Sequence, residues 1–342
     1  MRESLLLAGL LAVLSPGCGT RTQPKINGTG STFVTPMMKQ WASMYDQAKG
    51  VKVNYESVGS GIGIRRLTTG LFDFACTDAP MTPEQLDKAK QSGGEIVHIP
   101  LVMGAVVPAY NLADVQETVT LTGPVLAGIF LGEITKWNDK AIQALNPGVA
   151  LPDRDITVVH RDDASGTTYI WSDYLAKSSP RWKEKVGVGI FLDWPAGAGQ
   201  TGNEGVAAQI KRAPGSIGYV QLNYALQQDI PFARVKNRSG VSVKASLESV
   251  TAAAKSVLSD IPEDLRYSIT DRPGEDAYPI SGTVWAVLYA KQPGEKGRVV
   301  VDFLRWATHE GQEYAAEMHY ARLPQGLVER LNKKLDQITL DK

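Results

Sequence analysis

His160-Arg161-Asp162-Asp163-Ala164-Ser165-Gly166-Thr167-Thr168-Tyr169 is the stretch on which the reading of this chain turns. Ahead of it, Ile156 to Val159 is a β-branched, largely apolar run, the pattern of a buried strand. Behind it, Ile170, Trp171, Tyr174 and Leu175 recur at the spacing of one helix face. Ser165-Gly166-Thr167 therefore stands where a strand turns into a helix. The free N–H groups of a first helical turn point outward there, and the positive end of the helix dipole favours an anion. A glycine lets a ligand approach the backbone, and Arg161 can add a bidentate charge-assisted pair. An ordinary capped helix would carry the same residue types, because Ser and Thr are common N-caps. Other segments must decide.

The N-terminus predicts export. Leu5 to Leu14 is an apolar run, too short for a membrane span, with Arg2 before it and Ser15-Pro16-Gly17-Cys18 after it. A cysteine directly after a small residue at that point resembles a bacterial lipoprotein cleavage site. Residues 1–17 are then a signal peptide, Cys18 is lipidated, and residues 18–25 tether the protein to the membrane in the periplasm or at the cell surface. Pro16, Glu3 and a leucine one position upstream of the usual place depart from that pattern, and a plain secretory signal cut nearby is the alternative. Cys76 is the only other cysteine, so disulfides do not hold the fold, and it reads as a small buried residue.

With 342 residues the chain exceeds the size at which single cores usually split, so two domains are expected. Its 36 basic and 36 acidic residues cancel, which argues against a nucleic-acid surface. Any anion site must work by local geometry rather than by a global positive field.

From Ile26 onward, strand-like and helix-like segments alternate, which implies α/β layers with mainly parallel sheets. Met37, Trp41, Met44 and Tyr45 mark a helix face. Strands are expected at Val51–Tyr55 and Leu71–Cys76, a short helix at Ile62–Thr69, and a helix from the Thr82 cap through Gln91. Ile96 to Val107 is long enough to cross between domains. Further helices are expected at 122–131, 138–145, 165–177 and 203–212, and strands at 217–220, 232–235 and 284–290. Three helices end the chain, at about 297–308, 311–319 and 325–335.

Three more loops carry anion-binding chemistry. Gly28-Thr29-Gly30-Ser31-Thr32-Phe33 is only loosely a dinucleotide fingerprint, because Phe33 replaces the third glycine, and it lacks the Lys-Ser/Thr of a P-loop. Gly59-Ser60-Gly61-Ile62-Gly63 places a hydroxyl and permissive glycines at a helix start. Thr77-Asp78-Ala79-Pro80 puts Asp78 at the carboxyl edge of a sheet, where open α/β folds bind ligands, or makes it a local Asx-turn.

Together, in this order and at this spacing, the four loops resemble the periplasmic phosphate-binding proteins that feed the bacterial phosphate ABC transporter. Leu131-Gly132-Glu133-Ile134-Thr135-Lys136-Trp137, Gly215-Ser216-Ile217-Gly218-Tyr219-Val220 and Gly274-Glu275-Asp276-Ala277-Tyr278-Pro279-Ile280 extend the resemblance over residues 26–324. It implies a type II periplasmic-binding-protein fold: one α/β domain of residues 26–104 and 279–342, another of residues 105–278, two crossovers, and a ligand cleft between. It implies a monomeric binding protein rather than an enzyme, with inorganic phosphate as ligand, an ABC permease as partner, and no cofactor or metal. Residue by residue, Thr32 and Phe33 match the first-loop contacts and Ser60 the second. Asp78 matches the acceptor carboxylate and Arg161 the guanidinium donor. Ser165, Gly166 and Thr167 match the helix-terminus donors, and Asp163 a brace for the arginine. His160 and Ala164 stand where arginine and glycine are frequent, and Gly61 replaces a serine seen in some members.

Two other readings stay open. One is a receptor for sulfate or molybdate, which Asp78 opposes, because an acceptor-only carboxylate needs a ligand that still carries a proton. The other is an exported phosphatase or esterase with Ser165 as nucleophile. Its Gly-x-Ser-x-Gly elbow is absent, and His98, His160, His309 and His319 lack metal-ligand spacing.

Overall fold

The computed structural model describes residues 23–341; the expected signal peptide and Cys18 lie outside the described residues. In chain order the first elements are β1 (Lys25–Gly30), α1 (Thr35–Lys49), β2 (Lys52–Ser57), α2 (Ser60–Thr68), β3 (Phe74–Thr77), α3 (Pro83–Ser92) and the long β4 (Ile96–Tyr110). There follow β5 (Thr120–Leu121), α4 (Gly123–Phe130), α5 (Lys140–Gln143), β6 (Thr157–Arg161), α6 (Gly166–Ser178), α7 (Pro180–Lys185) and β7 (Ala198–Gln200). Next come α8 (Gly202–Arg212), β8 (Ser216–Gln221), α9 (Leu222–Gln227), β9 (Arg234–Lys236), β10 (Ser242–Val243) and α10 (Leu247–Lys255). The chain closes with β11 (Ser281–Tyr289), β12 (Lys291–Gln292), α11 (Gly294–Thr308), a 3-10 turn at Glu310–Tyr314, α12 (Gln325–Asp336) and β13 (Thr339–Leu340).

Eight strands form one sheet in the order β2-β1-β3-β11-β4-β8-β6-β7. The flanks are parallel: β1 pairs β2 and β3, and β6 pairs β7 and β8. The centre is antiparallel, because β11 runs against β3 and β4, and β4 against β8. The sheet is thus mixed rather than mainly parallel. The reason is the path of the chain, which leaves the first half along β4 and returns beside it along β11.

Strand β4 pairs with a strand on each side of it along successive parts of its length. Ile96 to Ala105 pair with β11, and Val106 to Tyr110 pair with β8. Its near-continuous apolar run suits a strand covered on both faces, and it is buried from His98 to Tyr110. Just before the change of partner, Gly104 and Gly282 stand directly opposite each other. A Cβ on Gly104 would lie 2.8 Å from the Phe33 ring, and one on Gly282 2.1 Å from Ile170 Cδ1. The loop before α1 and the body of α6 therefore both rest on this pair.

Several boundaries move. The expected strand at 71–76 begins only at Phe74, since Leu71 is exposed on a turn and Asp73 accepts the Asn27 N–H. The expected helix at 138–145 shrinks to α5, and that at 311–319 to the 3-10 turn, beyond which His319 takes a positive φ of 56°. Helix α3 opens as read, with Thr82 and Gln85 forming a reciprocal capping box. Among the described residues, no helix is long and apolar enough to cross a membrane.

Candidate functional site

The four loops singled out in the sequence converge where strand ends feed helix N-termini. Helices α1 and α2 start after Val34 and Gly59, neither of which caps with its side chain. No side chain takes their first-turn N–H groups, although the Thr35 N–H reaches the Thr32 carbonyl at 3.4 Å and Pro36 has none to offer. Helix α6 is capped by Ser165, whose Oγ accepts the Thr168 N–H at 3.1 Å.

Ser60 joins the two halves. Its Oγ accepts the N–H of Asp78 at 3.3 Å and of Gly166 at 3.1 Å, so its own hydrogen remains to donate. Nearby, the Gly61 N–H donates to the Ala164 carbonyl at 2.9 Å. A Cβ on Gly166 would fall 2.5 Å from Ser60 Oγ and 2.6 Å from Asp78 Oδ2, so only glycine fits this approach. Asp78 and the start of α6 thus share one site.

Asp78 is 1% exposed and accepts from the Ser31 hydroxyl through Oδ1. Burial pushes its carboxyl up to about 7, although the Ser31 bond and the Arg161 charge both pull it down. The side chain of Arg161 is 1% exposed and lies flat against Asp163, with Nε 2.6 Å from Oδ1 and Nη2 bonded to Oδ2. Its Nη1 is buried and finds no hydrogen-bond partner among the described residues. Asp163 thus holds the arginine through both oxygens and also accepts the Gly202 N–H at 3.2 Å.

An aromatic stack backs the arginine. The Tyr219 hydroxyl accepts the Arg161 N–H at 3.2 Å and meets Thr168 Oγ1 at 2.6 Å. The Tyr219 ring lies 5.0 Å from Trp171 and 5.7 Å from Trp194, and His160 stacks on Trp194 at 4.7 Å. Burial holds His160 below its ordinary pKa, so the residue standing in place of a frequent arginine brings packing rather than charge.

The first loop is tied up in bonds of its own. The Phe33 N–H donates to Ser31 Oγ at 3.0 Å, and Thr32 Oγ1 accepts from Asn203 Nδ2 at 2.8 Å. Both carbonyls are tied back, Thr32 O by the Tyr224 hydroxyl at 2.6 Å and Phe33 O by the Tyr320 hydroxyl. Ser31, Asn203, Tyr219 and Tyr224 were not singled out from sequence. Ser31 lies within the quoted loop and offered a second hydroxyl. Asn203 follows a strand and a glycine at a helix start, the same pattern as the chosen loops. Among the described residues, no three His, Cys, Asp or Glu side chains cluster as a metal site.

Residues 18–310 match the PBP superfamily domain. The chain is 43% identical over 310 residues to the phosphate-binding protein PstS of Xylella fastidiosa, covering 90% of this chain and 84% of that one. It is 40% identical over 328 residues to the phosphate-binding protein PstS of Pasteurella multocida, covering 95% and 94%. Its fold is similar to a solved high-affinity periplasmic phosphate-binding protein bound with phosphate, at a TM-score of 0.71 and 20% identity over 90% of this chain and 93% of that one. An ABC-type phosphate transport receptor from Vibrio cholerae gives a TM-score of 0.56 at 19% identity, covering 87% and 100%. At such identities the structural likeness speaks for the fold alone, the type II periplasmic-binding-protein architecture.

Proposed function

The chain belongs to the phosphate-binding protein PstS family, and from that premise we propose that it binds inorganic phosphate between the two halves of its sheet and delivers it to an ABC permease. The observation that carries this reading is Arg161, desolvated, clamped flat, and left with one unpaired nitrogen, a few residues ahead of the start of α6. A buried guanidinium N–H without a partner is costly, and an oxyanion supplies one. A dianionic phosphate facing an ionised Asp78 brings about three negative charges. Arg161 returns one, and three helix N-termini of roughly half a charge each return about one and a half. Asp163, which clamps Arg161, adds a further negative charge, so the hydroxyl and N–H donors of the loops must make up the difference.

In this reading the Thr32, Ser60, Ser165 and Thr167 hydroxyls and the Phe33, Gly166 and Thr167 N–H groups donate to phosphate. Asp78 accepts its proton. The ligand draws the Phe33 N–H away from Ser31 and the Gly166 N–H away from Ser60. The two domains are residues 26–104 with 279–342, and residues 105–278. The change of β4 from β11 to β8 after Ala105 supports that division. The mature protein works as a monomer without cofactor, in the periplasm or at the cell surface, held by a lipid on Cys18. Hydrolysis is disfavoured. Ser165 caps its own helix, His160 is stacked with its Nδ1 on the Arg161 carbonyl, and among the described residues no histidine is bonded to Ser165.

Calorimetric titration with phosphate and sulfate tests the proposal. At about pH 9, where Asp78 is ionised, one tight site for phosphate and far weaker binding of sulfate are expected. No phosphate binding, or turnover of a chromogenic phosphate ester, would overturn it. A second measurement concerns closure. Gly166→Ala should hold the halves apart at Ser60 and Asp78, and overpacking costs about 1–3 kcal/mol, a loss of about 5- to 150-fold in phosphate affinity. Unchanged affinity would show that the halves do not meet there in the complex.

A further inference from the structure

We propose that Asn203 is a positioning residue for the bound anion, one that sets the direction of two ligand hydroxyls and pins the halves across the cleft. The inference rests on reading the cleft as a phosphate site.

Asn203 is the second residue of α8 and is fully buried. Its Oδ1 accepts the Gln221 N–H at 2.9 Å, and because a backbone N–H can only donate, this bond decides which end of the amide is oxygen. The NH2 group must then face the other way. It donates to Thr32 Oγ1 at 2.8 Å and to Thr167 Oγ1 at 3.1 Å. Thr32 precedes α1 in one half of the molecule, and Thr167 lies in the first turn of α6 in the other.

The consequence is chemical. A hydroxyl that accepts from an amide keeps its own hydrogen free to donate. An anion needs donors, and a threonine free to rotate would offer a lone pair as readily as a proton. One residue thus holds two hydroxyls in the donating sense, Thr167 through its amide alone and Thr32 through the amide helped by the Asn203 backbone N–H at 3.4 Å, which Asn203→Ala would keep. The start of α8 is itself held by the Gly202 N–H on Asp163, the carboxylate that clamps Arg161. Guanidinium and both hydroxyls are therefore registered to a single helix end.

Opening the cleft would break only the Thr32 contact. The Gln221 and Thr167 bonds lie within one half and would persist. Asn203 should accordingly act on ligand escape more than on capture.

The test is a double-mutant cycle read by phosphate titration and stopped-flow kinetics. Asn203→Ala is expected to weaken binding about tenfold, mostly in koff. In a Thr32→Val background, and separately in a Thr167→Val background, the same change should cost markedly less, because its hydroxyl partner is gone. Equal fold losses in all backgrounds would show a merely structural role and overturn the proposal. Asn203→Asp guards against misfolding, since it keeps the shape and the Gln221 bond while replacing two donors with lone pairs. Relative to wild type, its phosphate affinity should be lowest at high pH and recover as the pH falls and that carboxyl gains a proton. A constant ratio would overturn the proposal as well. Wild-type protein that binds phosphate while Asn203→Ala matches it sinks the positioning role alone, whereas wild-type protein without phosphate affinity sinks the functional reading beneath it.

Discussion

At about pH 9, two units above the value to which burial raises Asp78, Asp78→Asn should collapse the preference for phosphate over sulfate by about a hundredfold. A site built around a proton donor on its ligand rejects an analogue lacking it by about 10⁴–10⁵-fold, because a buried polar group is left unpaired. Near neutral pH phosphate carries that proton and sulfate does not. The geometry leaves one oxygen of Asp78 for the task. Ser31 occupies Oδ1, while Oδ2 faces the start of α6. An asparagine there loses the charge and gains a donor, so sulfate is no longer repelled and phosphate loses a charge-assisted contact. Affinities for both anions, measured side by side at fixed pH and salt, give the ratio. An unchanged ratio would place discrimination elsewhere in the cleft.

The same carboxyl predicts a pH signature. Burial raises Asp78 to about 7, so in the closed cleft it takes up a proton as the pH falls through that value rather than through the ordinary carboxylate range. The protonated acid can donate to sulfate; the ionised form cannot. Wild-type sulfate affinity should therefore rise about tenfold per pH unit as the pH drops toward about 7, and level off below it. In Asp78→Asn the sulfate curve should be flat over that range. A flat wild-type curve would mean that Asp78 does not gate sulfate by its charge.

What the sequence disclosed and what it hid follow one physical division. The long apolar run of β4, the glycine-and-hydroxyl loops and the strand–turn–helix at 156–175 were legible because each is local, with the residues that make the feature standing next to one another. Strand direction was not. A buried strand has the same composition whether its neighbour runs with it or against it, so the antiparallel centre around β11 stayed hidden. Ser31 and Asn203 escaped for a similar reason. A small polar residue at a helix start looks alike whether it caps, reaches a ligand, or bonds a carboxylate 47 residues away, as Ser31 does to Asp78. The short α7 and α9, six residues each, leave no room for an apolar stripe, whereas α10 carries one at Val250, Ala253 and Ala254 that the reading passed over. Arg161 and Asp163 were paired from the family resemblance, and the structure joins them through both carboxylate oxygens.

Arg161→Ala should cost the largest share of phosphate affinity. Truncating one partner of a buried, hydrogen-bonded charge pair costs about 2–5 kcal/mol, or about 30- to 5,000-fold in Kd. The environment puts this site toward the upper end. The guanidinium is 1% exposed, so little water screens it, and its unpaired Nη1 has no competing partner to give up. Removing it also strands Asp163, whose side chain is 10% exposed and would keep only the Gly202 N–H. An uncompensated buried carboxylate destabilises the fold and repels the ligand, so thermal stability should fall together with affinity. Arg161→Lys separates charge from geometry. A lysine restores the positive charge but not the planar fork that holds both Asp163 oxygens while leaving a third nitrogen for the anion. Its affinity should lie between wild type and Arg161→Ala. Full recovery in Arg161→Lys would reduce the arginine to a point charge, and near-wild-type titration of Arg161→Ala would make it a structural residue, with the anion held by the helix N-termini alone.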